Sequence, residues 1–284
     1  MGAALEGKAV VITGAGGGLG RAYALDAARE GAAVVVNDLN PETAQSTVEQ
    51  IIAAGGRASA LAGSTTDEGI GDALVARARS EFGRFDGLVA NAGIHLMVPM
   101  LEESAESVRR SFDVNVLGTI ETGLAAARAL KETGGGTIVL ITSGTRFGTP
   151  SLTTTYGATK GAVASLCWGW ALEAAQFGIR VNAISPLAQT AMSKGAPIPS
   201  TLGPEVFGPV ASYLLSDLSA PLTGQIVRLT ESGLSLYPSP TALSAQVEGT
   251  EWTAATIAEA IRTRMSHGVA DVGLAHDIPA PVLA

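Results

Sequence analysis

Tyr156 and Lys160 stand four residues apart at the end of a stretch, Ser143 to Lys160, that reads SGTRFGTPSLTTTYGATK. In a helix that spacing puts a phenol and an ammonium on one face. Ser143 lies thirteen residues before the tyrosine, at the end of the apolar run TIVLITS. A strand ending in a hydroxyl, then a loop, then a helix offering Tyr and Lys can gather three polar groups around one reacting oxygen. A tyrosine titrates near ~10 in water. A neighbouring ammonium favours the phenolate, which suits the residue to general base chemistry near neutral pH. Tyr and Lys at this spacing also occur by chance in many helices, so the elements that position them must decide.

The chain has 284 residues, of which 46% are hydrophobic and 15% charged. That suits one large α/β domain with an appendage, or two small domains, and a large buried core. A net charge of −8 with no basic block argues against a nucleic-acid partner. The single cysteine, Cys167, excludes an internal disulfide and fits a reducing compartment, so a cytoplasmic location is expected. Its apolar surroundings read as inert packing. The first residues run into a strand pattern without the cationic and apolar regions of a signal peptide. The most apolar helix, Val163 to Ala175, is interrupted by Ser165, Gly169 and Glu173. It falls short of the ~20 apolar residues that cross a bilayer, so no membrane partner is expected.

The chain alternates strands and helices. Lys8 to Thr13 reads as a buried strand, followed by the turn GAGGGLG, Gly14 to Gly20, and a helix from Arg21. Strand, glycine turn and helix in succession allow the backbone to approach a pyrophosphate closely, with helix N-terminal amides facing the anion. A second strand, Ala32 to Val36, leads to Asp38, eighteen residues past Gly20. A carboxylate there accepts hydrogen bonds from the adenosine ribose and repels a 2′-phosphate. Gly17, not a basic residue, precedes Gly18, so NAD is expected rather than NADP. Asn40 before Pro41 is the expected cap of the next helix. Further strands are read at Ala58 to Leu61, Gly87 to Ala90, Thr137 to Thr142, Arg180 to Ile184 and Gly224 to Leu229. Thr66 or Asp67 is the expected cap of a helix to Phe82. Asn91, Ala92 and Gly93 form a small-residue turn at a strand's carboxyl end, where ligands sit in open parallel sheets. His95 follows in an apolar loop and reads as packed or exposed. Met97 and Met100 line a pocket or fill the core.

Glu102 to Lys131 reads as one long helix with Asn115 in its middle, where asparagine is unfavourable. It marks a satisfied buried amide, a kink, or a polar group turned toward the site. Helices follow at Thr155 to Phe177 and Pro204 to Leu215. The order predicts a single doubly wound parallel sheet of seven strands, a Rossmann-like α/β fold. Beyond Gly233 no strand-helix unit follows. Glu251 to Met265 reads as an amphipathic helix between proline-containing segments. The expected organisation is a dinucleotide-binding catalytic domain, residues 1–233, and an arm, 234–284, packing on the core or a neighbouring subunit. No metal-ligating cluster is read.

Thr13-Gly14-x-x-x-Gly18-x-Gly20, Asn91-Ala92-Gly93, Asn115, Ser143 and Tyr156-x-x-x-Lys160 together resemble, in order and spacing, the short-chain dehydrogenases/reductases. The resemblance covers roughly Gly7 to Gly233. GAGGGLGRAYAL and VVVNDL are more narrowly similar to bacterial relatives of the dehydrogenase unit of peroxisomal multifunctional enzyme type 2. The resemblance implies Tyr156 as the base taking the alcohol proton, and Lys160 lowering its pKa and binding the nicotinamide ribose. It implies Ser143 holding the substrate oxygen and Asn115 anchoring a water of a proton relay. Gly14, Gly18, Leu19 and Gly20 would surround the pyrophosphate, with Asp38 at the adenosine ribose and Asn91, Ala92 and Gly93 along the nicotinamide side. Ser64 or Thr65 takes the adenine-side position, usually acidic in the family. Ala188 and Thr190 are the carboxamide contacts, displaced because Pro186-Leu187 replaces the usual Pro-Gly. Glu231-Ser232-Gly233 replaces Asp-Gly-Gly.

These residues imply an NAD-dependent oxidoreductase acting on a secondary alcohol or ketone of a bulky apolar substrate, a hydroxysteroid or a 3-hydroxyacyl-CoA. A terpenoid or other small cyclic alcohol is the alternative. Lys194, the only base in the short lid from Met192 to Gly203, leans the reading away from CoA. A binding protein without turnover is the alternative of another class. The family implies a homo-oligomer, dimer or tetramer, through the two long helices, with Trp168 and Trp170 in its interface or in the core.

Overall fold

The runs KAVVIT, AVVV, GLVA and TIVLI are short, rich in β-branched residues and bounded by glycine or polar residues, which favours buried strands over helices. The computed structural model describes residues 3–148, 152–190 and 200–237, with 257, 259 and 263. Among these the strands are β1 (Ala9–Ile12), β2 (Ala33–Asp38), β3 (Arg57–Ala62), β4 (Gly87–Ala90), β5 (Gly136–Ile141), β6 (Ile179–Pro186), β7 (Ile226–Thr230) and β8 (Gly233–Tyr237). They form one sheet in the order β3-β2-β1-β4-β5-β6-β7-β8. The pairs from β3 to β7 are parallel, and β8 pairs antiparallel with β7.

The described sheet therefore has eight strands, not the seven expected. The extra one is a hairpin partner. A parallel neighbour needs a long crossover, but an antiparallel one needs only a tight turn. Here Glu231 and Ser232 make the turn, with Ser232 N donating to Thr230 Oγ1 at 3.2 Å. The short run LSLY gives no longer pattern to read.

The helices are α1 (Gly18–Arg29), α2 (Pro41–Ala53), α3 (Ile70–Phe82), α4 (Ala105–Phe112), α5 (Gly118–Glu132), α6 (Thr154–Ala174) and α7 (Gly208–Leu215). Successive strand residues point to opposite faces. Val10, Ile12, Val34 and Val36 join Tyr23, Val48 and Leu214 in a core under α1, α2 and α7. Val11 and Val35 join Leu74, Leu130 and Val163 under α3, α5 and α6. Cys167 is fully buried in this second core, where burial pushes its thiol up to about 12. No described helix is long and apolar enough to cross a membrane.

Asn40 caps α2 as expected, its Oδ1 accepting from Glu42 N at 2.8 Å. Neither Thr66 nor Asp67 caps α3. That helix starts after Gly69, whose φ of 74° needs a residue without Cβ, while Asp67 Oδ2 accepts from Ser64 N at 2.9 Å in the preceding turn. The single helix expected from Glu102 to Lys131 is also divided. A 3-10 turn, Met100–Glu102, precedes α4, which Ser104 caps in reciprocal bonds with Ser107. A π-helical turn, Asp113–Leu117, then joins α4 to α5. The span Pro204 to Leu215 opens with a 3-10 turn, Pro204–Phe207, before α7. The helix expected at Glu251 to Met265, apart from 257, 259 and 263, and residues 191–199 of the lid lie outside the described residues.

Asn37 closes the carboxyl end of β2 and β3. Its buried Nδ2 donates to Leu61 O at 3.1 Å and Gly63 O at 3.0 Å. Replacing it by alanine leaves two partly buried carbonyls short of a donor, so Asn37→Ala should cost about 1 kcal/mol or more. The urea midpoint should fall with an unchanged slope, and an unchanged midpoint would mean that these bonds contribute nothing.

Candidate active site

The chain steps away from β1 in one direction to β2 and β3, then returns to place β4 on its other side. That reversal opens a crevice at the carboxyl ends of β1 and β4. The two ends are clasped by side chains. Thr13 Oγ1 accepts from the amides of Asn91 and Ala92, both at 3.0 Å. Asn91 Nδ2 donates to Thr13 O at 2.9 Å and Gly14 O at 3.1 Å.

The glycine turn is built to stay open. A Cβ on Gly20 would stand 2.1 Å from Gly14 O and 2.6 Å from Asn91 Nδ2, so no larger residue fits. Gly14 and Gly18 have φ of 62° and 51°. A Cβ on Gly17 would meet nothing within 4 Å. Gly17 also caps α1 without a side-chain hydrogen bond, and the first turn of α1, which holds Leu19, has no acidic residue. The first amides of α1 are thus presented to an anion, with the helix dipole behind them. Asp38 is held at the lip, its Oδ2 accepting from Gly16 N at 2.8 Å and its Oδ1 from Asn40 N at 3.1 Å. Arg21 ties the turn from behind, through Gly16 O and, at 3.2 Å, Thr47 Oγ1. Glycines, bare helix N-terminus and rim carboxylate fit a dinucleotide's pyrophosphate and ribose.

Thr190 comes to the same turn, its side chain 3.9 Å from the position of a Gly18 Cβ. Ala188 is buried, two residues earlier on the loop after β6. Thr65 is buried too, but its hydroxyl packs where a Cβ on Gly118 would stand, 2.4 Å away, under the start of α5.

Three elements converge at the carboxyl end of β5. Ser143 ends the strand run and caps a 3-10 turn, Gly144–Phe147, its Oγ accepting from Thr145 N at 3.3 Å. α6 brings the Tyr156 phenol to the Ser143 side chain, which favours the phenolate. One turn on, Lys160 is buried, and its Nζ donates to Ile141 O at 2.9 Å and lies 5.7 Å from the Tyr156 ring centre. Gly93 leaves room here, since a Cβ on it would stand 3.1 Å from Asn115 Oδ1 and 3.6 Å from Lys160 Nζ.

The fully buried Asn115 locks this corner. Ile94 N donates to its Oδ1 at 2.7 Å, and its Nδ2 donates to Ile94 O at 2.9 Å and Thr159 Oγ1 at 3.1 Å. The π turn rotates the amide toward the loop after β4. An ordered water would have to share Oδ1 or the Asn115 carbonyl, which Thr119 Oγ1 already reaches at 2.9 Å. Thr159 escaped the sequence reading. It passes the Asn115 contact on to Tyr156 O at 2.7 Å. His95, expected to be packed or exposed, is packed, its ring centre 4.4 Å from that of Tyr156 with the planes tilted by 48°. Only its position two residues past Gly93 could have signalled this.

Burial governs the charges. It pushes the Tyr156 phenol up to about 12, against the downward pull of Ser143. It pulls Lys160 down to about 8. The phenolate-favouring effect expected of Lys160 is therefore outweighed in the protein alone.

The switch-point crevice, glycine turn and rim carboxylate define a Rossmann-type dinucleotide-binding protein with a serine–tyrosine–lysine cluster beside the crevice. Residues 8–197 match the short chain dehydrogenase family. A short chain dehydrogenase from Mycobacterium avium superposes with a TM-score of 0.85 at 29% identity, over 95% of this chain and 99% of that one. A 7α-hydroxysteroid dehydrogenase, complexed with NADH and 7-oxo glycochenodeoxycholic acid, superposes with a TM-score of 0.76 at 32% identity, over 81% of this chain and 95% of that one. The peroxisomal hydratase-dehydrogenase-epimerase of Saccharomyces cerevisiae is 32% identical over 86% of this chain, which spans 29% of that longer protein. The chain belongs to the short-chain dehydrogenase family, a family of oxidoreductases.

The raised Tyr156 pKa is directly measurable. In the protein alone, the difference in phenolate absorbance between wild type and Tyr156→Phe should show no ionisation step well below about 12. A step near neutral pH would mean that Lys160 overcomes burial without any ligand.

Proposed function

We propose that this protein is an NAD-dependent oxidoreductase that moves a hydride between nicotinamide and a secondary alcohol or ketone on a bulky apolar substrate. The observation that carries the reading is the convergence of Ser143, Tyr156 and Lys160 at the carboxyl end of β5, beside the open glycine turn.

When bound, the oxidised nicotinamide supplies the hydride acceptor and a positive charge that favours the phenolate. The chain's own groups do the rest. Tyr156 takes the alcohol proton. The Ser143 hydroxyl holds the substrate oxygen and orients the phenol. Lys160, fixed by Ile141 O, adds positive charge when protonated and reaches the nicotinamide ribose. Asn115 holds the Gly93–Ile94 loop against α6, so the base and the ribose contact share one frame. Gly14, Gly18, Leu19 and Gly20 cradle the pyrophosphate. Asp38 accepts from the adenosine ribose and repels a 2′-phosphate, which supports NAD over NADP. Asn91 and Ala92 flank the nicotinamide side, Ala188 and Thr190 its carboxamide, and Thr65 the adenine end.

A hydroxysteroid is the favoured substrate class, supported by the relative that carries NADH with a 7-oxo bile acid. The match to the peroxisomal hydratase-dehydrogenase-epimerase keeps a 3-hydroxyacyl thioester as the second reading. Leu124 on α5 and Leu172 on α6 are 41% and 82% exposed, which supports pairing of these helices in a homo-oligomer. Residues 1–233 would form its catalytic unit, and 234–284 an arm that opens with β8.

The test is NADH formation across hydroxysteroids, 3-hydroxyacyl-CoAs and monocyclic terpenoid alcohols, each with NAD and with NADP. One class should turn over with NAD. Tyr156→Phe should lower the rate at least about 100-fold with NADH binding unchanged. An unaltered rate in that variant would remove Tyr156 as the base. Asp38→Ser should raise turnover with NADP relative to NAD, and an unchanged ratio would refute the role given to Asp38.

A further inference from the structure

One turn past Ser143, the half-buried Arg146 donates from Nη1 to Ser143 O at 2.8 Å. Its guanidinium lies 4.2 Å from the Phe147 ring centre and 4.3 Å from that of Tyr237. Arg228 on β7 reaches the same Tyr237 ring at 5.7 Å and is only 8% exposed, with Nη1 donating to Ser185 Oγ at 3.3 Å. Among the described residues neither arginine forms an ion pair. Buried charge of one sign is unfavourable unless an opposite charge or good hydrogen bonds compensate it. The two arginines oppose each other, and Arg146 is held below its ordinary value by burial and by Arg228. Arg146 Nε and Thr145 Oγ1 are also buried without a hydrogen-bond partner.

Aromatic stacking compensates the face of a guanidinium and leaves its in-plane donors unused. The described side-chain bonds engage one nitrogen of each arginine. What remains is a set of planar donors suited to a carboxylate, which guanidinium groups bind two bonds at a time. The corner lies at the carboxyl end of β5, β6 and β7. That is the side of Ser143 away from β1 and the glycine turn, so it does not duplicate the dinucleotide site.

We infer that Arg146 and Arg228 form the anion-recognising end of the substrate site, selecting an apolar alcohol or ketone that carries a carboxylate. This inference rests on the proposed oxidoreductase reading of Ser143 and Tyr156. It adds two basic groups to Lys194, the only base in the lid sequence.

The probe is cholate against methyl cholate, one apolar frame of secondary alcohols with and without the negative charge. Binding to the whole protein with NADH present is measured calorimetrically at concentrations where both stay monomeric. Wild type should bind the acid at least tenfold more tightly than the ester, with the difference shrinking as salt rises. Arg146→Gln and Arg228→Gln should each reduce that preference, leaving ester and NADH affinities unchanged. Equal affinities in wild type, no binding of either probe, or Gln variants that keep the preference would overturn the inference. The wild-type comparison stands even if a variant fails to fold. Charge preference without turnover of any alcohol would sink the oxidoreductase reading alone. Turnover of neutral steroids without charge preference would sink this inference alone.

Discussion

One threonine hydroxyl joins the two strand ends on which the site depends. Thr13 receives the amides of Asn91 and Ala92, while Asn91 returns its own amide to Thr13 O and Gly14 O. β1 and β4 are neighbours in the sheet but lie far apart in the chain, with three helical crossovers between them. Without this clasp each loop could shift independently, and the glycine turn would lose its fixed relation to the loop that Asn115 holds. With it, the glycine turn and the serine–tyrosine–lysine corner are joined by one chain of contacts. The order runs from Gly14 to Asn91, along the chain to Ile94, and on to Asn115, Thr159 and Tyr156, with hydrogen bonds to the backbone of Gly14, Ile94 and Tyr156 and one between the Asn115 and Thr159 side chains.

The same burial that makes the corner rigid opposes its charged forms. Tyr156 is pushed up to about 12 and Lys160 down to about 8. Burial thus holds the phenol neutral while it brings Lys160 toward neutral pH, and low polarity strengthens any charge beside them. Pre-organised geometry and suppressed charge come from one cause, the packing of α6 against β5.

Much of this was legible in the residues. The β-branched runs placed the parallel strands because such segments are buried on both faces. The glycine turn, Asp38, Asn40, Ser143 and the Tyr156–Lys160 spacing could be read because each has a local backbone or spacing requirement. β8 was missed because a five-residue hairpin partner carries no crossover helix to announce it. Gly69 outdid Thr66 and Asp67 as the start of α3 because a left-handed backbone leaves no trace in hydropathy. Thr13 and Thr159 look like ordinary strand and helix residues until their long-range partners are known. Arg146 and Arg228 drew no reading from the sequence, since nothing local marks a cation as buried.

The π-helical turn at Asp113–Leu117 has a consequence for the register of its helix. A π turn holds one more residue than an α turn, so the segments on either side differ in phase by about 100° relative to a continuous helix. α5 keeps Thr122, Ala125, Ala126 and Ala129 on its buried side only because that extra residue has been counted in. Loss of one residue here would act as a rotation more than a shortening. Either the Asn115 amide would swing away from Ile94, or the inward stripe of α5 would turn toward water. Length in this loop-free stretch is thus as constrained as residue identity, and an alignment that closed the gap would misplace every inward position of α5 beyond it.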